Sequence, residues 1–309
     1  MRDEFIKVLM EKAAEDKNLM LLTGDLGFGV LSKFAEKYPN QFLNVGIAEQ
    51  NMAGVAAGLA MEGKIVFTYS IANFNTLRCL EQIRNDICYH NANVKIVSVG
   101  GGFCYGALGI SHHATEDLSI MGSIPNIRVV APGDKMETSL ATSAIYNTQG
   151  PFYMRLGRGG EPLLYDYEPS FKIGKAIPIF NQGEVALLSI GGILENVLEA
   201  RKLISAQGIT SSVYSFPTLR PFDADLIMEI AREVRLIVTI EEHIIHGGLG
   251  SRVACILSEI SFNKPLLVRI GIGENFICEV GDQNYLRQLC GLAPKQIVQR
   301  VISTIKNLK

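Results

Sequence analysis

Glu49 is the acidic residue with the most distinctive surroundings, in the segment Gly-Ile-Ala-Glu-Gln-Asn-Met at residues 46–52. The small residues that follow, at 53–60, predict a helix that begins near Glu49. A carboxylate at a helix N-terminus interacts favourably with the helix dipole, and this is more often a stabilising feature than a catalytic one. The segment by itself leaves Glu49 as either a helix cap or a catalytic group.

His112 and His113 lie in a loop rich in glycine and serine, at the expected end of a parallel sheet. Loops at the carboxyl ends of parallel strands are where α/β proteins form their sites. Because imidazole changes charge near neutral pH, His112 is a candidate for proton transfer or for hydrogen bonding to a substrate.

A second polar group contains Glu241, His243 and His246, just after a predicted strand. Carboxylate and imidazole groups can ligate a metal ion, but we expect these residues on a loop, without the i,i+4 spacing of helical ligands. We therefore favour a structural role, in which the loop orders the helix that begins near Ser251. No metal site is predicted in this chain.

Two glycine-rich segments, at 24–29 and 100–102, each follow a predicted strand, as a phosphate-binding turn would. The first does not have the Gly-x-Gly-x-x-Gly spacing or a suitably placed acidic residue for a ribose, and the second has no Walker-type lysine. Tight strand-to-helix turns explain both segments, so a dinucleotide site is not favoured.

These candidate residues lie within an alternation of strand-like and helix-like segments, which indicates parallel sheets covered by helices on both faces. Strands in the first half are predicted at 19–23, 42–45, 65–69, 94–99 and 127–130. Helices in the first half are predicted near the N-terminus and at 31–38, 49–62, 76–89 and 136–146.

A segment rich in glycine and proline interrupts the alternation between residues 157 and 175. A second alternation follows, with strands predicted at 184–190, 209–214, 236–240 and 266–270. Helices are predicted at 194–206, 224–233 and 251–260, before two closing helices. We therefore predict an α/β protein with two doubly wound domains, at 1–160 and 181–309, joined by a linker at 161–180, the second domain being the smaller.

The composition argues against several classes of protein. Hydrophobic residues make up 48% of the 309 residues and charged residues 19%, a balance typical of buried cores rather than disorder. A net charge of -2 gives no reason to expect nucleic acid or a membrane surface as a partner. The six cysteines form no Cys-x-x-Cys pair and the N-terminal segment is unlike a signal peptide, so we expect a cytoplasmic protein.

The segment around Glu49 resembles the pyrimidine-binding domain of transketolases. Further matching segments follow in the family's order and extend over nearly the whole chain, at 81–85, 111–117, 124–126, 155–158, 241–243 and 247–251. The last two are similar to the transketolase C-terminal domain. The resemblance implies a thiamine-diphosphate enzyme built from these two α/β domains.

Transketolases bind the cofactor's diphosphate and its metal ion through Gly-Asp-Gly and Asn-Asn segments, and this sequence contains neither. The chain therefore resembles the smaller subunit of a split transketolase. The resemblance implies an N-terminal transketolase subunit as partner, which would hold the diphosphate with Mg²⁺ or Ca²⁺. It also implies sites between subunits in an α2β2 assembly, with sugars or sugar phosphates as substrates.

Four residues match positions on the cofactor side of the family's site. Glu49 would hydrogen-bond a pyrimidine nitrogen and favour the imino tautomer, whose exocyclic nitrogen takes the proton from the thiazolium carbon. Phe74 would stack on the pyrimidine ring. Ile71 replaces a phenylalanine beside it, and Asp25 is also assigned to the cofactor pocket.

Four further residues match positions that contact the substrate. His112 would hydrogen-bond a ketose oxygen, and Arg158 would hold a sugar phosphate with its guanidinium group. Leu108 and Gly100 depart from the family pattern. The family has an aspartate that binds an acceptor hydroxyl at the position of Leu108, and often a histidine that contacts the substrate at the position of Gly100. These departures predict a more apolar or less hydroxylated acceptor than the ordinary pentose phosphates.

Three alternatives remain open. The β subunit of a 2-oxo acid dehydrogenase has the same two domains, and residues 218–223 resemble that group. A deoxyxylulose-phosphate synthase shares most of the motifs but carries its own diphosphate domain. In a non-catalytic regulatory homologue, Glu49 would only cap a helix. We favour a transketolase because His112, Arg158 and the segment 241–251 match that family.

Overall fold

A seven-stranded sheet forms the centre of the first domain in the computed structural model, which describes residues 1–307. Its strands are β1 (Leu19–Thr23), β2 (Phe42–Asn44), β3 (Ile65–Ile71), β4 (Val94–Val99), β5 (Arg128–Val130), β6 (Phe152–Leu156) and β10 (Thr218–Arg220). They lie in the order β10-β5-β6-β4-β3-β1-β2, and every pairing is parallel except that between β10 and β5.

Helices cover both faces of this sheet, as expected for a doubly wound domain. They are α1 (Arg2–Glu15), α2 (Ser32–Lys37), α3 (Glu49–Met61), α4 (Leu80–Gln82), α5 (Asp117–Ser123) and α6 (Lys135–Tyr146). Apolar side chains of α1 and α6 pack into one core cluster, and those of α3 and α5 pack into another. Because β1, β3 and β4 run parallel, their carboxyl ends open onto loops at the same edge of the sheet.

The second domain is built on a five-stranded sheet in the order β12-β11-β8-β9-β7, in which β7 alone is antiparallel to its neighbour. Its strands are β7 (Ile177–Phe180), β8 (Val185–Ile190), β9 (Ser211–Ser215), β11 (Leu236–Ile244) and β12 (Leu266–Ile272). Its helices are α7 (Leu194–Ser205), α8 (Ala224–Glu233), α9 (Leu249–Glu259), α10 (Gln283–Leu289) and α11 (Pro294–Lys306). The predicted fold class is confirmed; β7 lies within the range predicted for the linker.

One strand crosses between the domains. β10 belongs to the second half of the chain but pairs with β5 at the edge of the first sheet, with Thr218 opposite Val130. Leu219 is fully buried in a core cluster that also contains residues of both domains, such as Ile124 and Leu249. The two domains therefore share one continuous apolar core along this side.

The helix predicted at 76–89 is wrong as a single regular helix. The chain forms a 3₁₀ turn at Leu77–Cys79, a short α4, and then a π-helix at Ile83–Cys88. The start is set by Thr76, whose hydroxyl donates to the Ala72 carbonyl oxygen at 2.6 Å. Such side-chain bonds to the backbone compete with regular helix formation.

Two elements of the first domain were not predicted, namely β6 and α5. β6 carries Arg155 as its last residue but one, which breaks the apolar run expected of a buried strand. The guanidinium group is buried nevertheless, because it donates to the carbonyl oxygens of Ala114 and Glu242 and lies 3.4 Å from the Asp117 carboxylate. A buried charge needs such partners, and the residue pattern of one β-strand cannot reveal partners that lie on other elements.

No helix within residues 1–307 combines the length and apolar character required to cross a lipid bilayer.

Candidate active site

Glu49 lies where α3 begins, at the edge of the sheet onto which β1 and β2 open. Its side chain is only 4% exposed. Gly24 lies directly against it, since a Cβ added at Gly24 would be 3.8 Å from Glu49 Cγ and 3.3 Å from the Gly46 carbonyl oxygen. The absence of a side chain at Gly24 therefore leaves room for a buried carboxylate at this point.

The loop that contains Asp25 is held by Asn44, at the end of β2. The Asn44 amide oxygen accepts from the backbone N–H groups of Asp25 and Gly46, at 2.9 and 3.0 Å. Its amide nitrogen donates to the Asp25 carboxylate at 3.0 Å. Asp25 is exposed and has a positive φ of 56°. Its carboxylate thus holds the loops around Glu49 in place.

Phe74 and Arg78 form the wall next to the Glu49 carboxylate. The Arg78 guanidinium carbon lies 3.8 Å from the centroid of the Phe74 ring. Arg78 Nη1 donates to both oxygens of Glu49, at 3.2 Å each. Glu49, Arg78 and Phe74 therefore form one stacked and hydrogen-bonded group, in which Arg78 is about half exposed at 48%.

The loop that carries His112 is fastened to the loop that carries Phe74. Asn73 Nδ2 donates to the carbonyl oxygens of Ser111 and His113, at 3.2 and 2.9 Å. His113 is buried, and its ring packs edge-on against Phe103 at 5.2 Å. These contacts hold Ser111 and His113, the residues on either side of His112, and so fix the position of His112 relative to Phe74.

The His112 ring faces Phe74, with ring centroids 5.2 Å apart, and its Nδ1 lies 2.9 Å from the Ser111 hydroxyl. Partial burial lowers the pKa of His112 below its ordinary value, and the charges of Arg78 and His113 lower it further. The lowered pKa favours the neutral imidazole, which can offer one donor and one acceptor nitrogen.

Tyr105 occupies the space beside Gly100, at the end of β4. A Cβ added at Gly100 would collide with the Tyr105 ring, and the φ of Gly100 is +92°. Tyr105 also faces His112, with ring centroids 6.2 Å apart. Gly100 is thus buried beneath Tyr105 and does not itself face the open site, whereas Leu108 is 58% exposed on the neighbouring loop.

Arg158 lies on a cleft of about 560 Å³ between the two domains, whose lining includes neither Glu49 nor His112. Arg2 is close by, since a Cβ added at Gly159 would be 3.4 Å from Arg2 Nη2. Burial raises the pKa of the Tyr105 hydroxyl, and the positive charges of Arg2 and Arg158 oppose that rise. Two guanidinium groups therefore converge near Tyr105.

The structure brings Glu49, Phe74 and His112 together and places Ile71 at the end of β3, three residues before Phe74. Arg158 lines the cleft between the domains rather than the pocket of Glu49 and Phe74. The roles of these residues remain predictions. Three side chains of the site had no distinctive signal in the sequence, namely Arg78, Tyr105 and Asn73. Each belongs to a segment that reads as an ordinary helix or loop.

The prediction that Glu241, His243 and His246 lie on a loop is wrong for the first two, which belong to β11. Glu241 accepts from the backbone N–H groups of Leu249 and Gly250, at 2.8 and 2.9 Å, and so caps α9. His243 Nε2 accepts from the Ser119 backbone N–H. Burial lowers the pKa of His243 to about 4. These contacts match the structural role that we favoured.

His246 is exposed and pairs with Glu274, its Nε2 lying 3.0 Å from the carboxylate. Among the described residues, no three His, Cys, Asp or Glu side chains are grouped so that they could bind one metal ion.

Comparison with known proteins assigns both domains. Residues 1–161 match the model of the transketolase pyrimidine-binding domain, and residues 174–297 match that of the transketolase C-terminal domain. The fold and the matches together define a two-domain α/β chain with a pyrimidine-binding domain at its N-terminus. The chain belongs to the transketolase family, with the domain composition of the C-terminal subunit of a split transketolase.

Similar proteins agree with this composition. A putative transketolase C-terminal section from Methanocaldococcus jannaschii is 36% identical over 309 residues, 99% of this chain and 96% of that protein. One of the subunits of an apulose-4-phosphate transketolase from Phocaeicola vulgatus is 33% identical over 308 residues, 99% of this chain and 97% of that one. The solved structure of a split gene transketolase, an inactive beta4 tetramer, has a TM-score of 0.87 at 36% identity, covering 98% of this chain and 96% of that one.

Proposed function

We propose that this chain is the pyrimidine-activating subunit of a thiamine-diphosphate-dependent transketolase. The enzyme would transfer a two-carbon ketol unit from a ketose or ketose phosphate to an aldose acceptor. The observation that carries the proposal is the buried Glu49 carboxylate, which Arg78 connects to the aromatic ring of Phe74, with His112 packed against the same ring.

The described residues fit the pyrimidine half of the cofactor. The pocket already accommodates a flat, nitrogen-bearing group, because the Arg78 guanidinium stacks on Phe74 and hydrogen-bonds Glu49. An aminopyrimidine makes the same demands, namely an aromatic face and a hydrogen-bonding partner at a ring nitrogen. When bound, thiamine diphosphate supplies a thiazolium carbon that becomes a nucleophile on loss of its proton.

Glu49 would hold one proton between its carboxyl oxygen and the pyrimidine nitrogen. Water is excluded from this bond, because the side chain is 4% exposed and the loops of Gly24 and Gly46 close around it. A hydrogen bond in such a dry site is stronger than one in water. Phe74 would stack on the face of the ring so that its edge meets Glu49, and Ile71 would add apolar surface beside it.

His112 would orient the substrate. Its Nδ1 is engaged by the Ser111 hydroxyl, and its Nε2 is left to bond a substrate oxygen. Arg158, together with Arg2, would hold a phosphate at the other end of the substrate, since both guanidinium groups lie near Tyr105. Leu108 would face the acceptor with an apolar side chain, which disfavours a hydroxyl at that point.

A partner chain is needed to complete the site. Large apolar side chains remain exposed on the loops around Glu49, with Phe28 at 79% and Ile47 at 77%. Apolar groups exposed together at the mouth of a site are typical of a protein interface. The partner would be an N-terminal transketolase subunit that holds the diphosphate with Mg²⁺ or Ca²⁺, in an α2β2 assembly. The cysteines are free, as suits a protein of the reducing cytoplasm.

The experiment that tests this proposal is reconstitution with the partner chain, followed by an assay of ketol transfer in wild type and in Glu49→Gln. We expect the substitution to reduce kcat by at least about a hundredfold, because the amide cannot share a proton with the ring nitrogen. Assembly should be unchanged. Glu62→Gln, at the exposed end of the same helix, is the matched control.

Near-wild-type turnover by Glu49→Gln would contradict the role of this residue. Decarboxylation of a 2-oxo acid with acyl transfer to a lipoyl-bearing chain, in place of ketol transfer, would assign the complex to the dehydrogenases instead.

A further inference from the structure

The Arg78 side chain occupies the space in which the proposed function requires a pyrimidine ring. Its guanidinium group is planar and lies 3.8 Å from the Phe74 ring centroid. The same group donates to both Glu49 oxygens at 3.2 Å. Stacking on Phe74 and hydrogen bonding to Glu49 are the two contacts that an aminopyrimidine needs at this position.

The two occupants exclude each other. One face of Phe74 and one carboxylate cannot serve a guanidinium and a pyrimidine at the same time, because each is a flat group that needs the full area. Arg78 has a route out of the pocket, since its side chain is 48% exposed. Its partner Glu49 is anchored in the core at 4% exposure, so the arginine is the mobile member of the pair.

The backbone around Arg78 suits a side chain that exchanges between two positions. Arg78 belongs to a 3₁₀ turn, Leu77–Cys79, between the Phe74 loop and α4. Leu77 beside it is 48% exposed. Charge also favours the closed position, because a buried carboxylate without a partner is costly and Arg78 is the cation that neutralises it.

We infer that Arg78 is a placeholder for the cofactor, which closes the pyrimidine pocket in the free chain and must be displaced when thiamine diphosphate binds. This inference rests on the proposed function. The placeholder keeps the Glu49 carboxylate paired and the Phe74 face covered until the cofactor arrives. Arg78 also lies close enough to His112 to lower its pKa, so displacement changes the electrostatics of the substrate side too.

The test measures the dissociation constant of thiamine diphosphate with Mg²⁺, by titration calorimetry on the complex of this chain and its partner. Arg78→Met keeps the aliphatic stem and removes the guanidinium. If the pocket is closed in about nine molecules of ten, the apparent Kd exceeds the intrinsic one about tenfold. We therefore expect Arg78→Met to bind the cofactor about tenfold more tightly than wild type.

Arg84→Met is the matched control, because Arg84 lies on the neighbouring π-helix and its Nη1 donates to the adjacent Asn85 rather than to Glu49. Loss of any positive charge should weaken binding of an anionic cofactor slightly, so Arg84→Met reports that general effect. Arg78→Lys keeps the charge but lacks the flat guanidinium, and we expect a dissociation constant between those of wild type and Arg78→Met.

An unchanged or weaker affinity in Arg78→Met, or equal tightening in Arg78→Met and Arg84→Met, would overturn the placeholder. These results would leave the proposed function intact, because wild-type binding and ketol transfer are measured separately. If the wild-type complex binds no thiamine diphosphate, the proposed function fails and the placeholder fails with it.

Discussion

At the scale of single residues, the candidate site combines groups that the sequence singles out with groups that it does not. Glu49, Phe74 and His112 belong to recognisable segments, and the structure places them in one pocket. Arg78 falls in a stretch that predicts a regular helix, where an arginine is usually a solvated side chain. Only the three-dimensional arrangement shows that it reaches Glu49, 29 positions earlier in the chain.

The proposed role of Arg158 predicts that the enzyme distinguishes phosphorylated from unphosphorylated ketoses. Arg158→Ala should raise KM for a phosphorylated ketose about ten- to a hundredfold, because a hydrogen bond to a charged group contributes about 1.5–3 kcal/mol. KM for the unphosphorylated ketose should change little. Steady-state kinetics of the reconstituted enzyme with both sugars checks this, with Arg300→Ala, exposed on α11, as control. Equal effects on both sugars would remove the phosphate role.

At the scale of elements, regular segments could be predicted and irregular ones could not. β4 and α8 agree with their predicted bounds, because apolar periodicity and length suffice for a buried strand or an amphipathic helix. The segment after Phe74 departs from prediction because Thr76 bonds the backbone locally. β10 was missed because a three-residue edge strand has too few positions for a pattern.

The end of β4 offers a prediction about stability. Gly100→Ala places a methyl group against the Tyr105 ring on a residue with φ of +92°. We expect a loss of about 1–3 kcal/mol in the free energy of unfolding, from overpacking and from a backbone conformation that disfavours alanine. Urea unfolding of the isolated chain measures it. Gly54→Ala, in open space within α3, should instead be neutral or slightly stabilising.

Wild-type stability of Gly100→Ala would mean that Tyr105 moves aside freely. In that case the Tyr105 ring, whose centroid lies 6.2 Å from that of His112, is not a rigid neighbour of the substrate site.

At the scale of the whole molecule, the segment that follows β6 is fastened to the first domain by two buried carboxyl groups, those of Asp134 and Glu137, at the start of α6. Asp134 accepts from the Leu164 backbone N–H at 2.9 Å. Glu137 lies 2.5 Å from the Tyr165 hydroxyl and accepts from the Gly133 N–H at 2.6 Å. Burial raises the pKa of Glu137 to about 7, so near neutral pH this carboxyl group retains a proton in much of the folded protein.

Glu137→Gln should therefore change how stability depends on pH. The unfolded chain loses this proton near pH 4.5 and the folded chain near 7, so ionisation favours unfolding as the pH rises between those values. A glutamine mimics the protonated carboxyl group and does not ionise, so the variant does not lose this stability as the pH rises. We expect equal stabilities near pH 4.5 and a variant more stable by about 3 kcal/mol at pH 8.

Urea unfolding at several pH values measures the difference between variant and wild type. Glu241, whose pKa burial also raises to about 7, is present in both proteins and cancels. Glu15→Gln, on the exposed end of α1, serves as control. A difference that stays constant from pH 4.5 to 8 would show that Glu137 ionises alike in the folded and unfolded chain.

The strand β10 also matters for anyone who recombines domains among members of the family. A junction placed after the pyrimidine-binding domain, near residue 170, would leave β5 paired with an edge strand from the donor of the second half. Chimeras made there would combine a foreign strand with a native sheet, and Leu219 would have to fit a core that it did not evolve with. A recombination design that transfers residues 218–220 together with the first domain keeps the sheet whole.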